Sequence, residues 1–102
     1  MNNKKVIFYI GQNDKDTKKQ EKSDKEIKSI IENGLHNAKI DGATITAGLV
    51  GYWQGQKEKS LQVLCYYITD EQIKTYCEYI KQALNQEAVA VEIINNIQVN
   101  FM

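Results

Sequence analysis

The chain has 102 residues, a length that suits one domain (residues 1–102) with a single modest core and excludes two. Its 13 basic residues, all of them lysine, balance 13 acidic residues, so no net charge favours nucleic acid as a partner. The apolar fraction of 42% and the charged fraction of 25% are typical of globular proteins. No apolar run is long enough to cross a membrane, and the N-terminal run is too short for a signal peptide. Cys65 and Cys77 lack metal or redox spacing, so we expect reduced thiols in a cytoplasmic protein.

The N-terminal part of the chain predicts a strand, a long loop and a helix. Lys4–Gly11 is a short run of β-forming apolar residues bounded by charge and glycine, which predicts a buried strand. Residues 12–22 are wholly polar and carry no periodicity, so they predict a loop. A capping box over Ser23–Glu26 begins a helix with an isoleucine stripe, and this helix is expected to end at Gly34 or near Asn37.

Two strands are predicted next, and the first is rich in glycine. Residues 42–53 read GATITAGLVGYW, and glycine inside a strand indicates a bulge or the close approach of a ligand or another backbone. We expect residues 54–59 to form a turn and Ser60–Ile68 to form the third strand.

The C-terminal part predicts a second helix and a final hairpin. A capping box over Thr69–Gln72 begins the helix, whose apolar residues recur at helical spacing. Ala88–Ile94 predicts a fourth strand. Asn95-Asn96 suits a tight turn, after which residues 97–101 are predicted to pair back as a short fifth strand.

This order predicts an α+β protein with the ferredoxin-like βαββαβ plan, in which one antiparallel sheet carries both helices on one face. In such a sheet the strands should alternate apolar and polar residues, because one face is left uncovered. Several strands here, including VIFYI near the N-terminus, are instead apolar on both faces. We therefore expect another subunit or a ligand to cover the second face.

The glycine-rich strand resembles the second strand of PII-like proteins, and most of all a subgroup of small PII-like proteins. The residues that carry the resemblance are Gly42, Ala43, Thr44, Gly48, Gly51 and Tyr52. The resemblance implies a homotrimer with its sheets packed inward and a small-molecule site between subunits, often for an adenine nucleotide. It also implies that the strand glycines let a phosphate-bearing ligand approach main-chain N–H groups.

The sequence also departs from typical PII signalling proteins. Their long loop between strands two and three is reduced here to QGQKEK. The segment after the second helix, LNQEAVAV, contains no glycine, although that family has a glycine-rich phosphate loop there. Since the chain has no arginine, lysines and main-chain N–H groups would have to meet an anion.

Two segments supply the candidate ligand-binding residues, and each has a plainer alternative. Lysines of the polar loop could form a phosphate cradle, or the loop could simply be solvated surface. A calcium site is rejected because Lys18 stands where a ligand should be. Aromatic and amide side chains at the end of the second strand could hold a base or ring, or Trp53 could be a subunit contact. The predicted ligand-binding residues are Gly11, Gln12, Asn13, Lys15, Lys18, Lys19, Gly48, Gly51, Tyr52, Trp53, Gln54, Gln56 and Lys57.

The remaining chemistry-bearing residues do not indicate catalysis. His36 is the only histidine and has no ligand partners at suitable spacing, and both cysteines lie in predicted core positions. No nucleophile elbow, P-loop or metal motif is present, so we predict neither an enzyme nor a bound cofactor or metal.

The leading hypothesis is a non-enzymatic binder of a nucleotide or other anionic metabolite, assembled as a PII-like homotrimer. Such a protein could act as a sensor, or it could sequester a nucleotide signal, as some phage counter-defence proteins do. The alternative is a protein–protein interaction module, regulatory or inhibitory, that binds no small ligand.

Overall fold

A computed structural model describes residues 3–102 and shows a four-stranded antiparallel sheet in the order β2-β3-β1-β4, with two helices. This is the predicted ferredoxin-like α+β arrangement. The elements are β1 (Lys5–Gly11), α1 (Asp24–Asn37), β2 (Thr44–Trp53), β3 (Gln56–Tyr66), α2 (Asp70–Ala83) and β4 (Ala90–Ile94).

Both helices begin at the predicted capping boxes. The Ser23 hydroxyl accepts from the Glu26 N–H, the Glu26 carboxylate accepts from the Ser23 N–H, and Thr69 and Gln72 make the same reciprocal pair. Helix α1 continues through Gly34 and ends at Asn37, the later of the two predicted positions. The two helices pack closely at Gly34, where an added Cβ atom would lie 2.9 Å from the Tyr76 ring.

The core lies between the two helices and one face of the sheet. Phe8 on β1 and Tyr76 on α2 are both fully buried, and their rings meet edge to face at a centroid distance of 4.8 Å. The Tyr76 hydroxyl donates to the Ile31 carbonyl oxygen at 3.2 Å, so the one polar group of this aromatic pair is satisfied. Inward-facing residues alternate along β1 and β3, as period-two strands require.

The opposite face of the sheet carries no helix. Ile7, Leu64 and Tyr66 are half-buried there, and Ile94 is 39% exposed. At this end of the face the apolar side chains predicted from the sequence are present, and within one chain they remain partly open to solvent.

The β2–β3 hairpin is longer and tighter than predicted. The prediction of a six-residue turn over residues 54–59 is wrong, because β3 begins at Gln56 and only Gln54 and Gly55 form the turn. Both turn residues have positive φ (49° and 79°), as a type I′ hairpin turn requires. A register shift between Thr46 and Leu49 places one extra residue in β2, and Gly48 occupies this bulge with φ +75°.

The C-terminal segment differs from prediction as well. Asn96 has the positive φ expected of a turn, but residues 97–101 form no fifth strand, and β4 begins at Ala90 instead of Ala88. The Ile97 N–H donates to the Asn3 carbonyl oxygen, and the Val99 N–H donates to the Tyr67 hydroxyl at 2.9 Å. Isolated hydrogen bonds therefore hold this segment, and it is not paired with the sheet as a strand. Over the described residues, neither helix has the length or apolar character needed to span a bilayer.

Candidate ligand-binding cleft

A cleft of about 570 Å³ lies on the helix-free face of the sheet. The cleft is at the end of the sheet where β1 ends and the β2–β3 hairpin extends further. Its volume is within the range of small-molecule sites. Three segments form its walls: the hairpin, the loop after β1, and the α2–β4 connection.

The hairpin wall is shaped by its glycines. Because the bulge at Gly48 adds one residue, Leu49, Gly51 and Trp53 face the cleft side of the sheet opposite Ser60, Glu58 and Gln56. A Cβ atom on Gly51 would lie 3.3 Å from the Ser60 hydroxyl, so this glycine keeps the floor open. Trp53 is 50% exposed at the rim, and the Gln54 amide next to it donates to Glu87 at 3.1 Å.

The loop wall is a turn that is held by hydrogen bonds. The Asp14 carboxylate accepts from the N–H groups of Asp16 (2.7 Å) and Thr17 (3.2 Å), and the Asp14 carbonyl accepts from the Lys18 N–H. A hydrogen bond from the Asn85 amide, together with the N–H groups of Asp16 and Thr17, holds the pKa of Asp14 below its usual value. The exposed side chains of Lys15 and Lys18 therefore start from a defined turn beside the cleft.

Two amides from the α2–β4 connection fasten this loop. The Asn85 side-chain amide donates to Asp14 (3.0 Å) and Asp16 (2.8 Å), while the main-chain carbonyl of Asn85 accepts from the Lys15 N–H. The Gln86 amide donates to the carbonyl oxygens of Gly11 and Asn13. Two walls of the cleft are thus one hydrogen-bonded unit.

Glu58 supplies a carboxylate to the cleft from β3. Its Oε2 accepts from the Asn13 N–H at 3.0 Å. Its Oε1 lies over Gly11, where a Cβ atom would be 2.2 Å away, so only glycine leaves room for this carboxylate position.

The structure brings together nine of the thirteen predicted residues around this cleft: Gly11, Asn13, Lys15, Lys18, Gly51, Tyr52, Trp53, Gln54 and Gln56. Four lie outside its lining. Gln12 is buried towards α1, where its amide donates to Gln20 and Asp24. Lys19 is an exposed part of the turn, Gly48 forms the bulge, and Lys57 is exposed beside Tyr52 on the neighbouring strand.

Eleven further residues line the cleft. Asp14, Leu49 and Val50 lie within the two predicted segments but were not among the predicted ligand-binding residues. Sequence reasoning missed the others, which come from the rest of the chain: Tyr9, Glu58, Ser60, Gln62, Gln86, Glu87, Ala88 and Ala90. The alternation along the predicted third strand already places Ser60 and Gln62 on one face, and it would have placed Glu58 there too, had that strand been predicted to begin at Gln56. Nothing local in the sequence indicates Gln86, since its partners are more than 70 residues away.

Cys65 is buried and Cys77 is half-buried, and neither forms a disulfide. Burial raises the pKa of Cys65 to about 11 and raises that of Cys77 as well, so both thiols stay protonated near neutral pH. In residues 3–102, no three His, Cys, Asp or Glu side chains are grouped to hold a metal ion.

Several solved structures share this fold, whereas no protein-family model and no curated protein sequence matches the chain. A phage SAM lyase in complex with S-methyl-5′-thioadenosine aligns over 90% of this chain and 80% of its own, with 18% identity and a TM-score of 0.62. The PII-like protein CPII from Thiomonas intermedia K12, bound to ADP, AMP and bicarbonate, aligns over 95% and 91%, with 16% identity and a TM-score of 0.62. The divalent ion tolerance protein CutA1 from Ehrlichia chaffeensis aligns over 99% and 88%, with 14% identity and a TM-score of 0.60. The chain shares the ferredoxin-like fold with these proteins.

Proposed function

We propose that this protein binds a nucleotide or related nucleoside in the cleft, as part of a PII-like homotrimer, without converting it chemically. The observation that carries the proposal is the arrangement of the cleft walls. Trp53 and the Gln54 and Gln56 amides stand on the hairpin, and Lys15 and Lys18 project from the loop across the cleft. An aromatic ring with neighbouring amides suits a base, and ammonium groups suit an anionic part of the same molecule.

Two comparisons support a nucleoside-type ligand. The SAM lyase structure contains a thioadenosine, and the CPII structure contains ADP and AMP. Both proteins share the fold of this chain. In this chain Trp53, the largest aromatic residue of the cleft lining, lies at the open end of the sheet.

The uncovered sheet face supports self-association. Ile7, Leu64 and Tyr66 are half-buried and Ile94 is 39% exposed on a face that no helix covers. Packing this face against two other copies would bury these side chains and would place a neighbouring subunit beside the cleft. Native mass spectrometry of the purified protein should show a trimer, and a monomer would overturn this part of the proposal.

Trp53 provides a direct test of binding because it is the only tryptophan and lies at the cleft rim. Titration with adenosine, AMP, ADP and S-adenosylmethionine should change its fluorescence with saturation for at least one of them. Lys15→Ala with Lys18→Ala should weaken binding of an anionic member, whereas the control pair Lys28→Ala with Lys74→Ala, exposed on the two helices, should not.

The same mixtures test the absence of catalysis. Mass spectrometry of the bound ligand after prolonged incubation should recover it unchanged, and a stoichiometric excess of product over protein would establish an enzyme instead. If no nucleoside or nucleotide alters the fluorescence or the melting temperature, the cleft proposal fails and a protein-interaction module is favoured.

A further inference from the structure

Glu58 occupies an unusual position within the cleft. Its cross-strand partner on β2 is Gly51, and its carboxylate lies over Gly11 on β1, so neither neighbour covers it with a side chain. The Asn13 N–H holds Oε2 at 3.0 Å. Oε1 has no hydrogen-bond donor among residues 3–102 and is open to a bound molecule.

No cation of the described chain neutralises this carboxylate. The ion pairs in residues 3–102 are Lys4 with Asp70 and Lys59 with Asp24, and neither involves Glu58. A half-buried carboxylate without a cationic partner favours a ligand that supplies one.

The other cleft carboxylates are already engaged. Asp14 closes its own turn and accepts from Asn85, and Glu87 accepts from the Gln54 amide. The cleft lining therefore presents three carboxylates and two ammonium groups, of which Glu58, Lys15 and Lys18 remain available to a ligand. This balance disfavours a polyphosphate and favours a molecule that carries charges of both signs.

We propose that Glu58 selects, among nucleosides, one that bears a positive charge next to its sugar, such as a sulfonium, as well as an anionic group. The inference rests on the proposed function, because it assigns the ligand class of the same cleft. The positive group would lie against Glu58 Oε1 above Gly11, while the anionic group would reach towards Lys15 and Lys18.

S-adenosylmethionine and S-adenosylhomocysteine form a matched pair of probes. They differ by one methyl group and by the positive charge of the sulfonium, and both carry the same base, sugar, ammonium group and carboxylate. Trp53 fluorescence titrations of the assembled protein should give at least about tenfold tighter binding of the sulfonium probe, corresponding to about 1.4 kcal/mol. ADP should bind more weakly than either.

Glu58→Gln should remove this preference because it keeps the shape of the side chain and deletes its charge. Glu32→Gln, on the exposed surface of α1, should leave the preference unchanged. Gly11→Ala should reduce it as well, since the new methyl group displaces the carboxylate. Raising the salt concentration should reduce the preference in the unmodified protein, a measurement that requires no variant.

The outcomes separate the two proposals. Equal binding of both probes, or a preference that survives Glu58→Gln, would overturn the role of Glu58 while leaving a nucleoside-binding cleft. Tighter binding of ADP than of S-adenosylmethionine would overturn it in the same way. If none of the probes binds, the proposed function is overturned, and this inference with it.

Discussion

The Lys59 ammonium lies 2.8 Å from the Asp24 carboxylate and joins the β2–β3 hairpin to the first turn of α1. The same carboxylate accepts from Gln20 at 2.8 Å and from the buried Gln12 amide at 3.1 Å. One acidic side chain therefore connects a strand, a helix and the base of the loop that forms a wall of the cleft.

Acid should weaken the fold through Asp24. Hydrogen bonds from Lys59, Gln20 and Gln12 lower its pKa from 3.8 to about 2. Because the folded state favours the charged form, this stabilisation is present above about pH 4 and is lost as the pH falls towards 2. Asp24→Asn should give a smaller fall in melting temperature between pH 4 and pH 2 than the unmodified protein shows. The exposed Asp41→Asn is the control and should retain the full decrease.

Substitution by alanine should destabilise the protein at Gly34 and have little effect at Gly42. Gly34→Ala should destabilise the protein by about 1–3 kcal/mol, because the new methyl group meets the buried Tyr76 ring at 2.9 Å and overpacking outweighs the gain in helix propensity. Gly42→Ala should change the free energy of unfolding by less than about 0.5 kcal/mol, since nothing lies within 4 Å. Urea unfolding of both variants measures the difference, and equal effects would contradict the helix packing described.

The hairpin turn should tolerate asparagine better than alanine at Gly55. This residue has φ +79°, so Gly55→Ala should cost about 1–2 kcal/mol of strain, whereas Gly55→Asn should cost less because asparagine enters the left-handed region more readily. Urea unfolding gives the two free energies, and amide exchange along Gln56–Tyr66 reports whether the hairpin opens locally. Similar losses for both variants would argue against a type I′ turn.

Asn85 should control the order of the loop that faces it. Asn85→Gly keeps the positive φ of 51° but removes the amide that holds Asp14 and Asp16. Amide exchange of Asp16 and Thr17 should therefore accelerate, and ligand affinity should fall because the turn carrying Lys15 and Lys18 loses its anchor. Asn37→Gly, at the end of α1, serves as the control and should leave exchange in this loop unchanged. Unchanged exchange in Asn85→Gly would show that the backbone bonds alone hold the turn.

The buried hydroxyl of Tyr76 should contribute measurably to stability. Tyr76→Phe removes its bond to the Ile31 carbonyl and should cost about 1 kcal/mol, because that carbonyl lies inside α1 and the helix ladder remains available to it. Tyr52→Phe, at a side chain that is 72% exposed, should be close to neutral. Thermal unfolding compares the two variants, and equal shifts would argue against a contribution from the buried bond.

Local sequence was sufficient to predict both helix starts and the order of the six elements. A capping box is complete within four residues, and strand and helix periodicities are visible in short windows, so these features need no tertiary information. Both capping boxes and the ferredoxin-like order are present in the structure. The glycines of the second strand indicated a bulge or the close approach of a ligand, and the structure has a bulge at Gly48.

Tertiary contacts decided the rest. The polar residues QKEK have weak intrinsic strand preference, and they form the start of β3 because pairing with β2 supplies their hydrogen bonds. Gln12 was predicted to face a ligand, yet it lies buried against Asp24 because the chain turns towards α1 after β1. Glu58, Asn85 and Gln86 reach the cleft from segments 45 to 75 residues from their partners. Only the folded sheet brings those segments together, so no local pattern in the chain could have indicated the contacts of Asn85 and Gln86.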